Sequence, residues 1–134
     1  MRSSAITQAL GAAGVVLFAA CGSSTSPYGG GGGGGGGCTP TATKVCMGAV
    51  SFSPPNLTIT AGMLVTWQNG TASTTHTVTS SSSSTETFNS GNVAGAGTYT
   101  HTFPTAGTYN YYCTIHGVDG TPPTGMHGTI TVQP

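Results

Sequence analysis

The segments Thr108-Tyr109-Asn110-Tyr111-Tyr112 and Gly128-Thr129-Ile130-Thr131-Val132 decide how this chain folds. Each is rich in β-branched or aromatic residues and holds no proline, a composition that suits a pleated strand. In the second, Ile130 and Val132 share one parity and Thr129 and Thr131 the other, so a strand would present an apolar face inward and threonines to water. Working outward, comparable runs occupy Val45 to Phe52, Leu57 to Thr60, Leu64 to Gln68, His76 to Thr79 and Thr98 to Phe103. No stretch sustains a 3.6-residue period. Turn signals at Pro54-Pro55, Asn69-Gly70 and Ala106-Gly107 separate the runs at intervals of roughly ten residues, which predicts an all-β, two-sheet Greek-key sandwich of about seven to eight strands. Trp67, in phase with Val65, is expected in its core. The serine run Ser80 to Ser84 reads as an exposed, mobile loop.

The first 37 residues do not share this pattern. Arg2, the apolar run Leu10 to Ala20 and the small residues before Cys21 have the layout of a secretory signal over residues 1–20, with an apolar core too short for a spanning helix. Leu17-Phe18-Ala19-Ala20-Cys21 resembles a bacterial lipoprotein processing site, with Phe18 where such sites usually carry leucine; the resemblance implies lipidation of Cys21. Residues 21–37, ending in nine consecutive glycines from Gly29 to Gly37, cannot bury apolar area against their ordering entropy and read as a flexible leash. Its sixteen residues between Cys21 and Cys38 would span about 20–24 Å on average. The expected product is an exported domain, residues 38–134, lipid-anchored at the periplasmic or outer surface of a bacterial membrane.

That domain is large enough for one modest core. Lys44, Glu86 and Asp119 are its only formally charged side chains. Nucleic-acid binding is excluded on these grounds, because it needs a basic stripe to displace counterions. So few acid and base groups also leave little for hydrolytic chemistry on a small-molecule substrate. Cys38 and Cys46, eight positions apart in a chain bound for an oxidising compartment, are expected to form a disulfide. The alternative, a metal pair, lacks neighbouring histidines.

The chemistry concentrates in Tyr111-Tyr112-Cys113-Thr114-Ile115-His116 and Gly125-Met126-His127-Gly128, with His76 far upstream in Thr75-His76-Thr77-Val78. Two imidazoles and a thiolate, with a distant thioether, form the donor set of a blue-copper centre. Soft sulfur suits the cuprous ion and imidazole binds both oxidation states, so little need move when one electron does. Met126 and His127 compete for the fourth position, and a site with no protein ligand there is the third alternative. Met126 shares parity with Ile130 and Val132, whereas His127 shares it with the threonines.

These motifs resemble the cupredoxins, the plastocyanin-like blue copper proteins. The resemblance extends through Phe52-Ser53-Pro54, Leu57-Thr58-Ile59, the segment Val65 to Val78, Phe88-Asn89-Ser90-Gly91, and Thr102-Phe103 followed by Gly107-Thr108-Tyr109. It implies a cupredoxin-type sandwich holding one copper on His76, Cys113, His116 and Met126. Asn69 and Thr77 fall where that family braces its ligand loops by hydrogen bonds. One departure is that nine residues separate His116 from Met126, more than plastocyanin-like members commonly have, with the insertion around Val118 to Pro123. His101 matches no ligand position and reads as a partly buried structural histidine, and Met47 and Met63 as core or strand-edge residues. The implied function is one-electron transfer between redox protein partners, without enzymatic turnover. The rivals are copper storage, delivery or sensing, and a metal-free structural sandwich.

Overall fold

A computed structural model describes residues 37–134. The expected signal, Cys21 and the glycine leash up to Gly36 lie outside the described residues. Eight strands run in order: β1 Lys44–Met47, β2 Phe52–Ser53, β3 Asn56–Thr60, β4 Met63–Asn69, β5 Thr79–Ser80, β6 Thr98–Phe103, β7 Gly107–Val118 and β8 Thr124–Gln133. They form two four-stranded sheets ordered β2-β1-β4-β6 and β3-β8-β7-β5.

Two predicted strands are corrected. The run from Val45 to Phe52 divides into β1 and β2, which pair antiparallel with Met47 opposite Phe52. Gly48 weakens a strand interior, and the chain reverses there, with the Gly48 amide donating to Ser51 O at 2.8 Å. The run from His76 to Thr79 keeps ladder pairing only at its end. His76 instead bridges Val93 through N–H···O contacts of 3.1 and 2.8 Å, and Val78 N donates to Ser90 Oγ. The serine run is not a free loop either. Ser81 is buried, its amide donates to Asn110 O at 2.8 Å, and its hydroxyl donates to Gly120 O at 2.9 Å.

The core fills the space between the sheets. Ile59, Val65, Phe103, Tyr109, Ile130 and Val132 point inward by strand parity. Leu57 lies opposite Ile130, and Ile59 opposite Val132, across the parallel β3–β8 pair. Trp67 is fully buried at the centre, its ring 5.4 Å from Tyr111, 5.7 Å from Tyr99 and 6.2 Å from Phe103. Aromatic contacts in such tilted or edge arrangements add about 0.5–1.5 kcal/mol each beyond area burial. Gly128 makes that packing possible, because a Cβ there would lie 2.5 Å from Tyr111 Oη. Met47 joins the core, while Met63, at the start of β4, is 39% exposed. A disulfide joins Cys38 to Cys46, with Cα atoms 5.8 Å apart, and fastens the chain ahead of β1 to that strand.

Candidate metal centre

β7 and β8 pair regularly up to Tyr112 opposite His127, break register, and resume at Gly117 opposite Gly125. The irregularity lifts Cys113 to His116 out of the ladder at one end of the sandwich. Cys113 is fully buried and is the free cysteine of the described residues. Its Sγ lies 3.5 Å from His116 Nδ1 and 3.9 Å from His76 Nδ1. Donor atoms of all three residues lie within 4.8 Å of one another. The imidazole rings are 4.9 Å apart, His76 buried and His116 half-buried.

The segment carrying His76 is held by Asn69, at the end of β4 and almost fully buried. Its Nδ2 donates to Thr74 O at 2.7 Å and Val93 O at 2.9 Å, and its Oδ1 accepts from the amide and hydroxyl of Thr71. Val93 in turn bridges His76, so one side chain ties the loop to the strand behind it. Thr77 joins the two ligand-bearing segments. Its amide donates to Cys113 Sγ at 3.4 Å, and its hydroxyl oxygen accepts from Thr114 N at 2.8 Å. Burial, reinforced by the neighbouring His116, holds the pKa of His76 below its usual value of 6.5. The ring is therefore neutral near pH 7, as a metal-binding imidazole must be.

Met126 is buried in the same core cluster as Cys113, on the face of β8 shared by Ile130 and Val132. His127 is exposed, its Nδ1 2.9 Å from Gly125 O. His101 is half-buried, paired with Glu86 and stacked on Phe88 with ring centroids 4.8 Å apart. Sequence reasoning missed Val93 and Thr114 as bracing partners. It also missed that Asp119 and Gly120, in the insertion, reach the serine run.

The donor set fits copper. Bonds of about 2.0–2.3 Å from a first-row ion to imidazole and thiolate, spread in a plane, set the donors roughly 3.5–3.8 Å apart. The observed 3.5 and 3.9 Å lie within about 0.1 Å of that span. One amide hydrogen bond to the sulfur leaves it lone pairs for a metal, and no carboxylate lies in the cluster to favour a harder cation. An eight-stranded two-sheet sandwich with His-Cys-His donors at one end defines a cupredoxin, binding one copper.

This chain belongs to the plastocyanin/azurin family of copper-binding proteins, whose family model matches residues 39–133. It is 38% identical over 94 residues to a plastocyanin from Scenedesmus fuscus, covering 64% of this chain and 90% of that one. Among solved structures, amicyanin from Paracoccus versutus superposes with a TM-score of 0.55 at 26% identity, over 72% of this chain and 86% of amicyanin. A copper-containing nitrite reductase from Thermus scotoductus gives a TM-score of 0.60 at 26% identity over 72% of this chain; the match spans only 23% of that larger protein.

Proposed function

We propose that the domain is a one-electron carrier working between redox protein partners, with Met126 as a weak fourth donor to the copper. The observation that carries this reading is the buried His76–Cys113–His116 cluster braced by Asn69 and Thr77, with one ligand, His116, reaching the surface. Bound copper supplies the one-electron couple. The protein's part is to hold both imidazoles and the sulfur in one arrangement, so that little reorganises on transfer. His116 offers the exit. It is half-buried and flanked in sequence by Ile115, 51% exposed, and Val118, 67% exposed, apolar side chains on which a partner could sit. Enzymatic turnover at a second copper is disfavoured by the remaining histidines, since His101 is engaged by Glu86 and His127 faces away from the core.

The test is electron self-exchange of the copper-loaded domain, together with challenge by a chelator. Fast exchange with copper retained through repeated reduction and oxidation is expected. Slow exchange, with copper surrendered on reduction, would replace the carrier with a storage or delivery protein.

The domain's place in the cell is proposed from the sequence. Residues 1–20 direct export, lipidated Cys21 attaches the protein to a membrane, and residues 21–37 let the domain range near it. Cys21→Ala should move the protein from the membrane to the soluble fraction, because acyl chains provide the attachment. Continued membrane association of the variant would remove the lipid from this picture.

A further inference from the structure

The insertion between His116 and Met126 is built into the site rather than appended to it. Directly beyond the ligand-bearing irregularity, Gly117 and Gly125 face each other across β7 and β8. A Cβ on Gly117 would lie 2.8 Å from Met126 O and 2.9 Å from Thr124 O; one on Gly125 would lie 2.7 Å from His116 O. Gly125 also has φ +73°, a conformation open to glycine at little cost. The backbones on either side of the site therefore touch with no side chain between them, and a shift of one strand is passed to the other.

The tip beyond this crossing is pinned at its far end. The Asp119 carboxylate accepts from Ser82 N at 3.0 and 3.2 Å and from Gly120 N at 2.8 Å. Ser81 Oγ donates to Gly120 O at 2.9 Å, and Ser81 N donates to Asn110 O on β7. The contacts close a ring from Asn110 through Ser81, Ser82, Asp119 and Gly120 to the Gly117–Gly125 crossing, and so back to His116 and Met126. A tip held at both ends cannot pivot about the crossing.

We propose that Asp119 is a positioning residue for the copper centre, acting through the Gly117–Gly125 contact to hold the backbones of His116 and Met126 at a set separation. This rests on the reading of Met126 as the fourth donor. Asp119 touches no ligand. Its role is mechanical, and its charge is incidental to it.

The test uses the full chain loaded with copper, comparing the parent with Asp119→Ala, Asp119→Asn and Ser81→Ala. The readouts are the copper hyperfine splitting, the visible band positions and the rate of cuprous release to a chelator. Asp119→Ala and Ser81→Ala are expected to shift the spectra in the same direction and to speed release about three- to tenfold, about one hydrogen bond's worth of the lost anchoring being felt at the ligands. Asp119→Asn keeps an acceptor oxygen for Ser82 N and should return close to the parent. Ser81→Ala exchanges one small neutral side chain for another, so it remains readable if Asp119→Ala is poorly stable. Equal effects of both Asp119 variants with Ser81→Ala unchanged would mean that charge alone is felt, and would overturn the positioning role, as would parent-like values in all three. A parent without thiolate-to-copper colour would overturn the copper reading, and this inference with it.

Discussion

Asn69→Asp preserves the shape of a buried side chain and inverts one of its polar functions. The Nδ2 of Asn69 donates to Thr74 O and Val93 O, while its Oδ1 already accepts from both Thr71 donors. In the variant an acceptor oxygen faces two carbonyl oxygens. Two donated bonds are lost, at about 0.5–1.5 kcal/mol each, and a desolvated carboxylate is left opposite acceptors at a further cost of about 1–3 kcal/mol. We expect a loss of about 3 kcal/mol at pH 7, a large share of the ~5–15 kcal/mol typical of a domain. For a domain of roughly 100 residues this lowers Tm by about 12–24 °C. The sign with pH follows from the same geometry. Once protonated, the introduced carboxyl could donate one bond, so its folded pKa is raised above the unfolded value of about 3.9. The deficit is full above the raised pKa and shrinks as pH falls through it. Denaturant titrations of the metal-free protein at several pH values, with Asn69→Ala as the uncharged control, measure this. A variant within about 1 kcal/mol of the parent at pH 7, less than the donated bonds alone should cost, or a deficit relative to Asn69→Ala that ignores pH, would refute the bracing role of Asn69.

Other expectations follow from the same structure. Met126→Leu should keep the blue colour and raise the reduction potential, because losing a weak donor destabilises the cupric state, and His127→Ala should change neither; voltammetry showing the reverse would hand the fourth position to His127. Replacing Cys38 and Cys46 together by serine should lower stability by about 2.5 kcal/mol, from the loop entropy of a crosslink with sequence separation 8, and a denaturation midpoint equal to the parent's would contradict it. The depressed pKa of His76 means the folded metal-free protein binds fewer protons than the unfolded chain. Its contribution to stability is therefore full above pH 6.5 and is lost as pH falls from there toward the folded value. A melting temperature that is equally pH-sensitive in His76→Gln would assign the effect to another group.

The strand pattern and the site were legible in the sequence to different depths. Alternation in Gly128-Thr129-Ile130-Thr131-Val132 located the inward face of β8 and with it Met126, because parity is local information. The division at Gly48 and the short ladder at Thr79–Ser80 were not legible, since both depend on which neighbour supplies the hydrogen bonds. His76 illustrates the difference. Its residue type and motif marked it as a ligand, but nothing nearby in sequence reveals that Val93, seventeen positions on, holds its backbone. The serine run misled for a related reason. Composition marks a polar loop, yet Ser81 is buried because the insertion folds back to supply Gly120 O as a partner. Asp119 was visible as a rare charge, while the amides it satisfies were invisible until the chain was folded.

The central claim is that the Cys113 thiolate is a copper ligand beside His76 and His116. Its most direct test is the visible spectrum of the oxidised protein with one equivalent of copper, set against Cys113→Ser under the same loading. An intense blue thiolate-to-copper band is expected in the parent and its complete loss in the variant, with the far-ultraviolet β-sheet signature unchanged. A colourless parent, or a variant that stays blue, would contradict it.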